Sequence, residues 1–118
     1  MSEVAITRTE WLQVCKRSDL VANSGVCALV GDQQIALFFL PDQEPQLYAI
    51  DNWDPIANAG VIGRGLVAEI DGELTVASPL YKQHYRLSDG QCLEEEDIKL
   101  ASFAVAFEGD DVLIQIDQ

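Results

Sequence analysis

Apolar and polar positions alternate in short runs along this chain, and nowhere does an apolar stripe repeat at helical spacing for long. Residues 10–16 (EWLQVCK) open with that alternation and predict a first strand. Residues 25–31 (GVCALVG) and 33–40 (QQIALFFL) flank Gly31-Asp32-Gln33, predicting a hairpin with β-rich arms. Prolines at 41 and 45 make PDQEPQ a loop, because each removes a ladder donor. Residues 47–51 (LYAID) read as a strand entering the long loop NWDPIANAGVIGRG, residues 52–65. Residues 66–70 and 73–78 are joined by Asp71-Gly72, a strong two-residue hairpin signal.

Residues 84–87 (HYRL) and 91–94 (QCLE) bracket a turn at Ser88-Asp89-Gly90. The last predicted pair is 99–108 (KLASFAVAFE) and 111–117 (DVLIQID), separated by Gly109-Asp110. In the first, Leu100, Phe103, Val105 and Phe107 sit largely on one face; in the second, Val112, Ile114 and Ile116 alternate. A turn or two of helix near EEEDIKL is the most that could form. Eight to ten short strands imply an all-β antiparallel sandwich or barrel. The 118 residues fit a single domain, 1–118, with residues 1–9 loosely ordered.

Composition adds exclusions. Apolar residues make up 48% and charged residues 23%, a globular balance. The longest apolar run, IALFFL, is strand-sized and far short of a membrane span. The start MSEVAITRTEW lacks the features of a secretory signal, so the chain is expected in the cytoplasm. Cys15, Cys27 and Cys92 are an odd number without a CxxC pair, and are expected as free thiols, at least two packed in strands. A net charge of −13 argues against nucleic acid and against an anionic membrane surface. It supports solubility, and it can steer docking onto a protein partner.

Most familiar chemistries fail on motif grounds. GVIGRG opens no helix and lacks a P-loop Lys-Ser/Thr. Ser78, His84 and Asp89 come without a nucleophile elbow or oxyanion device, so no catalytic residue is nominated. His84, in a polar loop, fits a surface or interface position better than a metal site.

Two loops carry a resemblance. Residues 78–90, SPLYKQHYRLSDG, match without a gap the second ligand loop of Rieske-type ferredoxin domains, Cys-Pro-x-His-Gly-x-x-Phe-x-Leu-x-x-Gly. Ser78 stands at the Cys and Tyr81 at the His, with Tyr85 at the aromatic, Leu87 at the Leu and Gly90 at the turn glycine. DPIANAGVIGRGLV resembles the first loop, Cys-x-His, with one extra residue. Anchored on its start, Asp54 and Ile56 take the ligand positions; anchored on its exit, Pro55 and Ala57 take them. The resemblance implies a Rieske-type fold of the iron–sulfur-protein kind.

The chain departs from that pattern where the cofactor would bind. A Rieske centre needs two Cys and two His, and one His exists here; a four-Cys cluster fails on three Cys. Asp54, Ser78 and Tyr81 are hard oxygen donors, poorly matched to sulfide-bridged iron. No cofactor is therefore expected on this chain; a mononuclear metal on Asp54, Tyr81 and His84 stands as the alternative.

A ligand-free Rieske fold with GVCAL, AIDNWDP, RGLVAE, GELTVASPL and RLSDGQCLE resembles the small subunits of bacterial NAD(P)H-dependent nitrite reductase. That resemblance implies a non-catalytic subunit docking on a large subunit, which carries FAD, siroheme and an iron–sulfur cluster and reduces nitrite to ammonium. The alternative is a Rieske-like adaptor or electron carrier for another reductase or oxygenase. Trp53, Arg64, Lys82, His84, Tyr85 and Arg86 are the candidate partner contacts, since aromatics and arginine are enriched in interface cores. The opposing reading packs Trp53 and Tyr85 into the space a cluster would fill. Exposed edge strands leave a weak homodimer open.

Overall fold

A computed structural model describes residues 9–117, so the expectation for the N-terminus lies outside the described residues except at Thr9. In chain order the strands are β1 (Thr9–Lys16), β2 (Ser24–Val30), β3 (Gln33–Phe39), β4 (Leu47–Asp51), β5 (Trp53–Asp54), β6 (Ala59–Gly60), β7 (Leu66–Ile70), β8 (Glu73–Ala77), β9 (His84–Arg86), β10 (Ser102–Phe103), β11 (Val105–Glu108) and β12 (Asp111–Asp117). Three-residue 3-10 turns occupy Arg17–Asp19 and Ile62–Arg64.

The strands form three main sheets, ordered β1-β12-β11, β10-β4-β3-β2 and β7-β8-β9, with β5-β6 a small ribbon inside the long loop. Every ladder between these strands is antiparallel. The middle sheet is packed on both faces. Ile35 and Leu37 of β3 join Leu47, Ala49, Val112 and Ile114 in one core. Ala36 and Phe38, the intervening residues, face the other way and join Ile50, Ile62, Val76, Tyr85 and Leu87. A strand buried on both faces has no polar side to show, which is why IALFFL reads as a continuous apolar run.

The two-residue turns work as expected. Asp71 and Gly72 both have positive φ (51° and 84°), the backbone a tight hairpin with matching twist requires. The hairpin at residue 31 is tighter than the three-residue turn expected, because Gln33 already pairs with Val30.

Three expectations need correction. Residues 99–108 are not one strand: β10 pairs with β4, the strand breaks at Ala104, and β11 pairs with β12. Alternation reports which face a residue takes and is silent on which strand it pairs with, so the change of sheet left no trace in the pattern. Residues 91–94 form isolated bridges, Tyr85–Cys92 and Gln91–Lys99, and not a strand. Cys27 lies in β2 but is exposed, whereas Cys92 is buried outside any named strand; all three thiols are free.

Candidate functional site

The two loops of the resemblance meet at one end of the β7-β8-β9 sheet. Leu66 pairs with Ala77, so the exit of the long loop and the entry of residues 78–83 are neighbours. Gly65 allows the close approach, since a β-carbon there would collide with the Ala77 carbonyl. Asn52 braces the long loop from below. Its side chain accepts from the Gly63 N–H (2.7 Å) and donates to Gln34 Oε1 (3.0 Å). Nothing in the sequence pattern singled out Asn52.

At the centre lies Asp54, whose side chain is completely buried. Its Oδ1 accepts from the Tyr85 hydroxyl at 2.9 Å and from the backbone N–H groups of Ile56 (3.0 Å) and Ala57 (3.2 Å). Its Oδ2 accepts from the Ser78 hydroxyl. Burial pushes the Asp54 carboxyl upward, but the donations from Ser78, Tyr85, Ala57 and Ile56 outweigh it and hold its pKa below the ordinary value. Burial, and then the bond to this carboxylate, drive the Tyr85 hydroxyl far above the usual tyrosine range. The loop behind Ser78 closes on itself, with Ser78 N–H donating to the Gln83 carbonyl and Lys82 N–H to the Ser78 carbonyl.

Of the two alignments, the geometry favours the one anchored on the loop's start, with Asp54 and Ile56 at the ligand positions: Asp54 reaches across to Ser78, while Pro55 is exposed. Those positions do not fit a [2Fe–2S] cluster. Ile56 offers no lone pair and packs against the core, and Tyr81 is 60% exposed. Both Asp54 oxygens are already engaged, one by the Tyr85 hydroxyl and one by the Ser78 hydroxyl of the second loop. His84 Nδ1 lies 2.7 Å from Glu94 Oε2, and among the described residues His84 and Asp54 belong to no cluster of three or more His, Cys, Asp or Glu side chains placed to share a metal ion. Burial opposes that Glu94 carboxylate, yet the N–H and ring of His84 keep its pKa below the ordinary value.

The six candidate contacts divide. Tyr85 is 0% exposed, its ring in the core and its hydroxyl on Asp54, so it is removed from the interface. Trp53, by contrast, is exposed beside the β2–β3 hairpin end and fills no core space. Arg86 lies further from the loops, opposite Thr75, and is held by two hydrogen bonds to Asp89 (2.9 and 2.8 Å), with Glu73 at 3.6 Å. His84 is tied to Glu94. Arg64 and Lys82 are exposed and have no ion-pair partner among the described residues. Beside them the sequence reading missed Leu66 (76% exposed) and Leu80 (53% exposed), which with Tyr81 make this end apolar as well as cationic. The outward register of Leu66, next to the core-facing Val67, was the available signal.

Comparison with known proteins places this geometry in a family. The profile of the Rieske-like [2Fe-2S] domain matches residues 10–115. The Escherichia coli (strain K12) nitrite reductase (NADH) small subunit is 47% identical over 95 residues, 80% of this chain and 87% of that one. The solution structure of the E. coli protein NirD matches with a TM-score of 0.83 at 41% identity, over 92% of this chain and 98% of that one. A Klebsiella oxytoca nitrite reductase [NAD(P)H] large subunit is 43% identical over 91 residues, which are 76% of this chain but 9% of that much longer one. The chain belongs to the Rieske-like domain family and, within it, to the nitrite reductase small subunits.

Proposed function

We propose that this chain is the accessory small subunit of a cytoplasmic NAD(P)H-dependent nitrite reductase, docking on the siroheme flavoprotein large subunit and binding no iron–sulfur cluster of its own. The observation that carries the reading is the same domain found in two settings. It occurs as a free-standing small subunit in E. coli and as a 9% portion of a large subunit in K. oxytoca. A domain that occurs covalently inside its partner is one that works in contact with it. FAD, siroheme and the electron-transfer cluster belong to the large subunit in this reading, and the small subunit supplies contacts and not chemistry. The oxygen-rich, fully engaged donor set at residues 54 and 78 supports the absence of a cluster. Among the described residues no helix is long and apolar enough to cross a membrane.

The docking face is the end bearing Arg64 and Lys82 together with Leu66, Leu80 and Tyr81. An exposed apolar group flanked by unpaired cations on a chain of net charge −13 suits a partner recess rimmed by carboxylates. The test is co-purification from nitrate-grown cells. The wild-type chain is expected to bring down a siroheme flavoprotein with NAD(P)H-dependent nitrite reduction, and itself to contain no stoichiometric iron or acid-labile sulfide. The double substitution Arg64→Glu/Lys82→Glu is expected to abolish capture while leaving the melting temperature unchanged. Retained capture would move the docking face elsewhere.

A further inference from the structure

The geometry points to a mechanical substitute for the missing cluster: the buried Asp54 carboxylate is the pin that joins the two loops and holds the end of the molecule in one shape. A cluster bound by ligands from both loops would tie them together. Here that tie is made of hydrogen bonds alone. Four donors converge on one side chain, two from its own loop (Ile56 and Ala57), one from the second loop (Ser78) and one from β9 (Tyr85). Among the described residues no other side-chain hydrogen bond joins residues 54–65 to residues 78–83.

The chemistry is one-sided. Among the described residues no cation pairs with Asp54, so neutral donors alone compensate its burial. Removing the carboxylate leaves two hydroxyls and two backbone N–H groups without their acceptor in a closed site, and the loops can satisfy them only by opening to water. The residues that depend on the pin include Leu80, whose N–H reaches the Ser78 hydroxyl at 3.4 Å, and through the same short loop Tyr81 and Lys82.

Backbone order parameters measured by NMR on the full chain test this, and they do not depend on the proposed docking. In the wild type, residues 55–58 and 79–82 are expected near the rigid value of about 0.85, like β3 and β4. In Asp54→Ala both segments are expected to fall below about 0.6 while β3 and β4 hold. Asp54→Asn should fall in between, because its amide oxygen can still accept from Ile56 and Ala57. Tyr85→Phe, which keeps the ring in the core, should loosen the loops least. Loops that stay as rigid as the central sheet in Asp54→Ala would overturn the proposal. So would equal loosening of loops and central sheet in both Asp54→Asn and Tyr85→Phe, since that describes general destabilisation and not a pin.

Discussion

Arg86, Asp89 and Glu73 manage charge toward one end of the β7-β8-β9 sheet, and Asp54 manages it at the other. The first group is partly exposed, with the guanidinium gripping Asp89 through two bonds and holding its carboxyl at about 2. The second is a lone carboxylate sealed from water and surrounded by uncharged donors. Opposite charges at a wet surface gain little, because water already solvates both. A sealed carboxylate has no such fallback, so each donor around it matters. The difference teaches that the familiar-looking motif, RLSDG, shapes a turn, and that the loops depend on Asp54, one of the residues at which the family motif is broken.

The largest expected effect is on the sealed side. Asp54→Ala should lower unfolding free energy by about 3–5 kcal/mol in a urea titration, since two buried hydroxyls and two part-buried N–H groups lose their acceptor at once. Tyr85→Phe comes next at about 1–2 kcal/mol, because Asp54 then keeps three of its four donors. Acid is a third way to break the comparison. Asp54, Glu94 and Asp89 all have folded pKa values below their unfolded ones. Their contribution is therefore complete above the ordinary carboxylate range, about pH 4, and is lost as pH falls through the folded values. The melting temperature should be flat from about pH 6 to 8 and drop below about pH 4, with the drop shallower in Asp54→Asn and in Asp89→Asn than in the wild type. The smallest effect belongs to Arg86→Ala, which should leave the denaturation midpoint within experimental error. A large loss there would erase the contrast between the two ends.

What the sequence revealed follows the same division. Turns such as Asp71-Gly72 were legible because left-handed backbone restricts composition, and β3 was legible because two-sided burial leaves an unbroken apolar run. The switch of residues 99–108 between sheets was not, since pairing partners are chosen by tertiary packing. At the site, positions 54 and 78 were legible only through resemblance to ligand loops. The role of Tyr85 was present in the pattern but outweighed by its neighbours: period two places it on the same face as Leu87, and both are buried. Charged residues on either side made it look like a surface aromatic. Asn52 and the cross-loop half of the Asp54 geometry had no local signature, because Gly63, Gln34, Ser78 and Tyr85 lie 11 to 31 residues from the side chains they meet.

The pin at Asp54 also bears on how the subunit is made. Every atom of it is encoded in the chain, so the end that carries Leu80, Tyr81 and Lys82 is complete as soon as the polypeptide folds. On the cluster-free reading proposed above, no insertion step by a scaffold protein precedes assembly, and no oxidant strips this end by attacking iron.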